Sequence, residues 1–111
     1  MASRRKEHQE DAKFRVFQII NENPQITTRE IAQKVGISNG STYYLLTSLI
    51  DLGFIKLSNF KDSSQKVKYS YLLTPKGIRE KATVTSKLLV RKKQEYELLK
   101  KEITELERDL G

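Results

Sequence analysis

The sequence predicts a mainly α-helical protein with a small two-stranded β element and a long final helix. Three observations carry that expectation. Residues 37–54, ISNGSTYYLLTSLIDLGF, combine a polar start, an apolar stripe and a glycine stop. From Phe54 to Leu73 the apolar period falls towards two, around a polar cluster at 61–66, as in a strand pair with its turn. After Gly77 neither proline nor internal glycine interrupts the chain, and apolar residues recur at alternating steps of four and three. With two helices read upstream, the order is helix, helix, helix, strand, strand, long helix. That is a winged helix-turn-helix: a three-helix core, a two-stranded wing and a C-terminal extension.

The first helix is expected from about Glu7 to Asn21, with Phe14, Phe17 and Ile20 on its apolar face and Ala12 and Val16 as further candidates. Residues 1–6 read as a disordered basic arm, and Pro24 ends the helix. Thr27 and Glu30 form a capping-box pattern at the start of the second helix, whose buried side is Ile31, Ala32 and Val35 and whose stop is Gly36. Two helices joined by a short glycine-containing turn are the helix-turn-helix signature; an ordinary helical hairpin is the plainer alternative. In the third helix Ser38 is the N-cap. Thr42, Leu45, Leu46, Leu49 and Leu52 share one face, and Gly53 takes the left-handed C-cap position. Phe54–Phe60 and Val67–Leu73 are the strands, with Ile55 and Leu57 on one face of the first and Val67, Tyr69, Tyr71 and Leu73 on one face of the second. Thr74 and Pro75 then suit the N-cap and first turn of the last helix. The organisation expected is arm 1–6, winged helix-turn-helix domain 7–74 and dimerisation helix 75–111.

Composition supports a polyanion partner. The 111 residues carry a formal net charge of +7, and the densest positive stretch is residues 54–77, with five basic residues against one acidic. Such a patch suits nucleic acid, although a solvated surface accounts for charge alone equally well. Cysteine is absent, so disulfides and thiolate metal sites are excluded. No apolar run approaches the roughly 20 residues of a membrane span, and the start is not a signal peptide. The expectation is a soluble cytoplasmic protein without metal or cofactor.

The residues expected at DNA follow from the helix faces. Asn39 at the start of helix three is suited to adenine, and Ser41 to base or phosphate. Gly40 permits close backbone approach. Tyr43 and Tyr44 are candidates for phosphate or a thymine methyl, with the alternative that one of them is core. Ser38 and Thr47 complete the polar set. Thr28 and Arg29 open helix two, where free N–H groups suit a phosphate. Lys61, Lys66 and Lys68 on the wing supply salt-dependent affinity. Helix three itself has no Lys or Arg, so base readout is expected to be neutral and polar.

The final helix carries a heptad stripe: Ile78, Ala82, Thr85, Leu89, Lys92, Tyr96, Leu99, Ile103, Leu106 and Leu110. Over residues 75–110 it would extend roughly 54 Å at about 1.5 Å per residue. A small core cannot cover so long a stripe, so a partner helix is expected, most simply from a second copy. The contacts expected there are Ile78, Ala82, Leu89, Tyr96, Leu99, Ile103, Leu106 and Leu110. A lone charged helix supported by pairs such as Glu97–Lys101 is the alternative.

These motifs also resemble a family. Leu73-Thr74-Pro75-Lys76-Gly77 is similar to the LTPKG that follows the wing in MarR-type winged-helix regulators. Asn59-Phe60-Lys61, Tyr69 to Ile78, and Glu95-Tyr96-Glu97-x-Leu99-Lys100-x-Glu102-Ile103 resemble the small MarR-like regulators associated with exopolysaccharide (EPS) gene clusters. The similarity covers roughly residues 10–108. It implies a bacterial or archaeal cytoplasmic transcription factor that binds double-stranded DNA as a homodimer. The chain departs from the family pattern in two places. Gln65 and Lys66 stand where MarR proteins often have Asp and Arg, and Ser41 and Thr47 stand where the narrower family usually has Lys. Many MarR-type proteins bind a small effector between core and dimer helices, but the sequence identifies no such pocket. A protein-interaction adaptor is the second reading, favoured by the uncharged helix three. An enzyme is poorly supported: His8 is the only histidine, and Glu7, Glu10 and Asp11 beside it are more simply helix-start acids.

Overall fold

The computed structural model describes residues 2–61, 63–64 and 67–111, the side chains of 2–6, 60 and 67 excepted. Its elements are α1 (Ala2–Glu22), α2 (Thr28–Val35), α3 (Asn39–Asp51), β1 (Ile55–Lys61), β2 (Val67–Leu73) and α4 (Pro75–Leu110). The predicted winged helix-turn-helix with a long C-terminal helix is the observed architecture. The first helix begins earlier than expected, its backbone running helical from Ala2 rather than from about Glu7.

Local chemistry sets the boundaries. Thr27 Oγ1 accepts from the Glu30 N–H at 3.1 Å, and the Glu30 carboxylate accepts from the Thr27 N–H at 3.3 Å. Both halves of the capping box are therefore present. Gly36, at φ 81°, turns the chain out of α2 in a conformation that costs other residues a Cβ clash. The α3 end is a Schellman motif: the Phe54 N–H donates to the Leu49 carbonyl and the Gly53 N–H to the Ile50 carbonyl, both at 2.9 Å, with Gly53 at φ 81°.

The core lies where the three short elements meet α1. Val16, Phe17 and Ile20 of α1 pack with Ile26, Ile31, Leu46, Leu49, Phe54 and Ile55. The Phe17 and Phe54 rings meet edge to face, 6.2 Å between centroids. Phe54 precedes β1 rather than opening it, and Leu52 is exposed because α3 stops at Asp51. The wing is an antiparallel pair in register from Ile55↔Leu73 to Lys61↔Val67. Its expected inward face holds only at the base. Tyr71 and Leu73 pack on the core, whereas Leu57 and Tyr69 are exposed, because the strands run out past the core.

The first half of α4 packs along α1 in the opposite direction. Glu80 pairs with Lys13 at 3.0 Å, Lys87 approaches Glu10 at 4.0 Å, and Arg91 binds Asp11 and, at 3.5 Å, Glu7. Val84 is buried between the two helices' charged rims. Beyond Arg91 every residue of α4 is exposed, and the molecule measures 69 × 26 × 24 Å.

Candidate nucleic-acid interface

Helix α3 presents a sharply divided surface. Thr42 is 0% exposed among the apolar residues, its hydroxyl donating to the Ser38 carbonyl at 2.9 Å. Thr42, Leu46 and Leu49 hold the buried side, so the 3.6-residue period turns Gly40, Tyr43, Tyr44 and Thr47 outward. Tyr43 is 68% and Tyr44 78% exposed. Neither is core, which settles the alternative left open by the sequence. Apart from its chain neighbours and its own helix backbone, no described atom lies within 4 Å of where a Cβ on Gly40 would stand, so the first turn of α3 offers bare backbone.

Ser38 and Ser41 form a small relay at that turn. Ser38 Oγ accepts from the Ser41 N–H at 3.0 Å and donates to Ser41 Oγ at 2.9 Å. The Ser41 hydroxyl proton is then free to reach an acceptor outside the chain. Ser41 also lines an open groove of about 1000 Å³ between α1 and α3, together with His8, Tyr44, Leu45, Ser48 and Leu52.

The start of α2 is tied to the wing. Thr28 Oγ1 and the Tyr71 hydroxyl lie 3.0 Å apart, and the Tyr71 N–H donates to the Pro24 carbonyl at 2.8 Å. The Thr28 hydroxyl is thus half-buried and engaged at the wing base, while Arg29 beside it is exposed.

Residues 9–56 match the family model described as winged helix-turn-helix DNA-binding. Among solved structures, a MarR family transcriptional regulator from Silicibacter pomeroyi DSS matches with TM-score 0.59 at 21% identity, over 74% of this chain and 54% of that one. Staphylococcus aureus MarR in complex with salicylate and kanamycin matches at 0.55 and 24%, over 79% and 56%. The S. aureus MepR–DNA complex matches at 0.59 and 17%, over 92% and 76%. The fold is a winged helix-turn-helix like that of these MarR and MepR structures. The chain spans little more than half the length of the first two of these proteins. No curated protein matches it in sequence.

In this winged helix the other sequence-derived candidates are distributed as follows. Asn39 and Ser38 are exposed at the α3 start, Thr47 one turn beyond Tyr43, and Lys61 and Lys68 on the wing strands. Lys66, with Gln65, lies outside the described residues. Lys76 belongs to a different task from the wing lysines: its Nζ donates to the Leu52 carbonyl at 2.7 Å, capping α3, and sits 5.0 Å from the centre of the Phe54 ring. Three residues that position the interface carry no sequence signal. Tyr71 clamps Thr28. Arg15 donates to the Lys34 carbonyl at 2.8 Å and so caps α2 from α1. Arg91 gathers the α1 acids; its hydrogen bond to Asp11 raises its pKa above the ordinary value, against the opposing effect of burial. Among the described residues no group of His, Cys, Asp and Glu is arranged to hold a metal ion, and no helix is long and apolar enough to cross a membrane.

Proposed function

We propose that this chain is a sequence-specific, DNA-binding transcriptional regulator acting in the cytoplasm as a homodimer. The observation that carries the reading is the exposed neutral face of α3. Tyr43, Tyr44 and Thr47 stand clear of the core beside the Asn39–Ser41 turn, as a helix entering the major groove requires. In this reading Asn39, Ser41 and the tyrosines choose the sequence. The N–H groups at Thr28 and Arg29, with Lys61, Lys66 and Lys68, hold phosphate or enter the minor groove. The likeness to the MepR–DNA complex supports it. Control of exopolysaccharide-type genes is the narrower assignment, supported by the resemblance of the LTPKG and tail motifs. The dimer contacts are Ile78, Ala82, Leu89, Tyr96, Leu99, Ile103, Leu106 and Leu110, all exposed in the single chain.

Titration on promoter DNA at two salt concentrations tests the proposal: affinity must fall as salt rises. Binding that ignores salt, or no binding, refutes it. The second reading is a protein-interaction adaptor, favoured by the absence of Lys and Arg from α3. Substituting Asn39 and Tyr43 separates the two: loss of DNA retardation with the dimer intact supports the regulator.

A further inference from the structure

The apolar stripe of α4 turns away from its own chain. Gly77, Val84 and the half-buried Leu88 and Arg91 face the core and α1. Ile78 and Leu89 lie about a third of a turn round the helix from that face, and with Leu99 and Ile103 they are exposed. Leu110 is 92% exposed at the far end. Every residue of α4 from Lys92 onward is exposed.

The charge of α4 is polarised along its length. From Pro75 to Lys93 it has seven basic residues and one acidic; from Gln94 to Leu110 it has six acidic and three basic. We infer that α4 pairs with α4 of a second copy antiparallel and in full overlap, an orientation that rests on the homodimer reading above. Ile78 then meets Leu110 of the other copy, Ala82 meets Leu106, and Leu89 meets Leu99. The basic half of each helix lies on the acidic half of the other. Flanking the seam, Arg79 comes beside Glu107 and Lys81 beside Asp109, twice each by symmetry. Among the described residues none of these four makes an ion pair within its own chain.

The weak seam residue decides against the parallel arrangement. There, Lys92 would face Lys92 of the other copy inside the seam, and Glu102 would flank Glu107. Antiparallel, Lys92 lies across from Tyr96, whose ring and hydroxyl accommodate an ammonium. Like charges still meet near the two-fold axis at Lys93 and Glu95, on the exposed rim where repulsion is small. The geometry also suits an operator. The core grips α4 at Val84, ten residues from the two-fold axis of this register, so two cores stand about 30 Å apart along the pair. Successive DNA half-sites are roughly 34 Å apart.

Cysteine crosslinking tests the orientation, since the chain has no cysteine of its own. L89C and L99C chains, mixed and oxidised, are expected to join to each other, and L99C alone is not expected to join to itself. Sedimentation of the unmodified chain reports the dimer separately. A dimer in which L99C joins to itself overturns the antiparallel orientation and leaves the dimer standing. A dimer giving neither product overturns the full-overlap register. A monomer overturns both. As a second measurement, K81E is expected to weaken the dimer about tenfold, and D109K in the same chain to restore it. In a parallel pair these residues stand some 42 Å apart, and the failure of D109K to restore would refute the proposal.

Discussion

The carbonyl oxygen of Phe54 occupies the space where a side chain on Gly77 would begin: a Cβ built there would lie 1.9 Å from it. Backbone touches backbone at this point, where α4 leaves the core. Gly77 is therefore required for contact rather than for an unusual φ. The expected consequence is that Gly77→Ala pushes α4 off the core and costs about 1–3 kcal/mol, as overpacking does. Urea denaturation measures it; an unchanged midpoint would contradict the close approach.

The Thr28–Tyr71 hydrogen bond predicts a coupling. Thr28→Val and Tyr71→Phe are each expected to cost about 0.5–1.5 kcal/mol. The double variant should cost less than the sum, because each single change leaves a half-buried hydroxyl without its partner. Additive losses in a double-mutant cycle would show that the two groups do not interact.

Electrostatic holding and base reading should separate experimentally. Lys61→Ala is expected to weaken binding to all DNA sequences alike and to lower the salt slope by about one. Asn39→Ala should instead relax sequence preference at about 1–3 kcal/mol and leave the slope unchanged. Binding-site selection at two salt concentrations distinguishes these outcomes.

Arg91 joins α4 to two acids of α1, Asp11 and Glu7. Among the described residues its buried Nε has no hydrogen-bond partner, the nearest Glu95 oxygen being 3.8 Å away. Removing it leaves Glu7, Asp11 and Glu95 facing one another. Arg91→Ala is expected to destabilise by about 1 kcal/mol, discounted because its acid partners are largely solvated. Amide exchange should rise in the first half of α1 more than in α3; an unchanged pattern would mean that the clamp does not hold α1.

Most of the architecture could be read from the sequence because its punctuation is local. Thr27 with Glu30, Ser38, Gly36, Gly53 and Thr74 each act within four residues of the helix end they define. The core stripe of α3 follows from the 3.6-residue period for the same reason. Residues whose partners are distant in sequence gave no signal. Thr28 and Tyr71 are 43 positions apart, and Asp11 and Arg91 are 80 apart. Lys76 counted only as positive charge until the Leu52 carbonyl gave it a partner. Tyr43 and Tyr44 flank the apolar stripe, so periodicity could not assign them before the packing around Thr42 and Leu46 was known. The wing misled in another way: alternation continues to its tip, but the core beneath it does not.

Thr74 donates to the carbonyls of Gly53 at 2.6 Å and Phe54 at 3.2 Å, and its own N–H reaches Phe54 at 3.1 Å. The chain thus returns, after some twenty residues, to the place it left. The wing is an excursion whose two ends are riveted together, and lengthening such a loop costs little. Residues at its tip can be inserted, deleted or recharged without the seam between α3 and α4 registering the change. On the proposed DNA-binding reading, the part of the molecule that would set how tightly DNA is held can therefore drift independently of the part that would set which DNA is read.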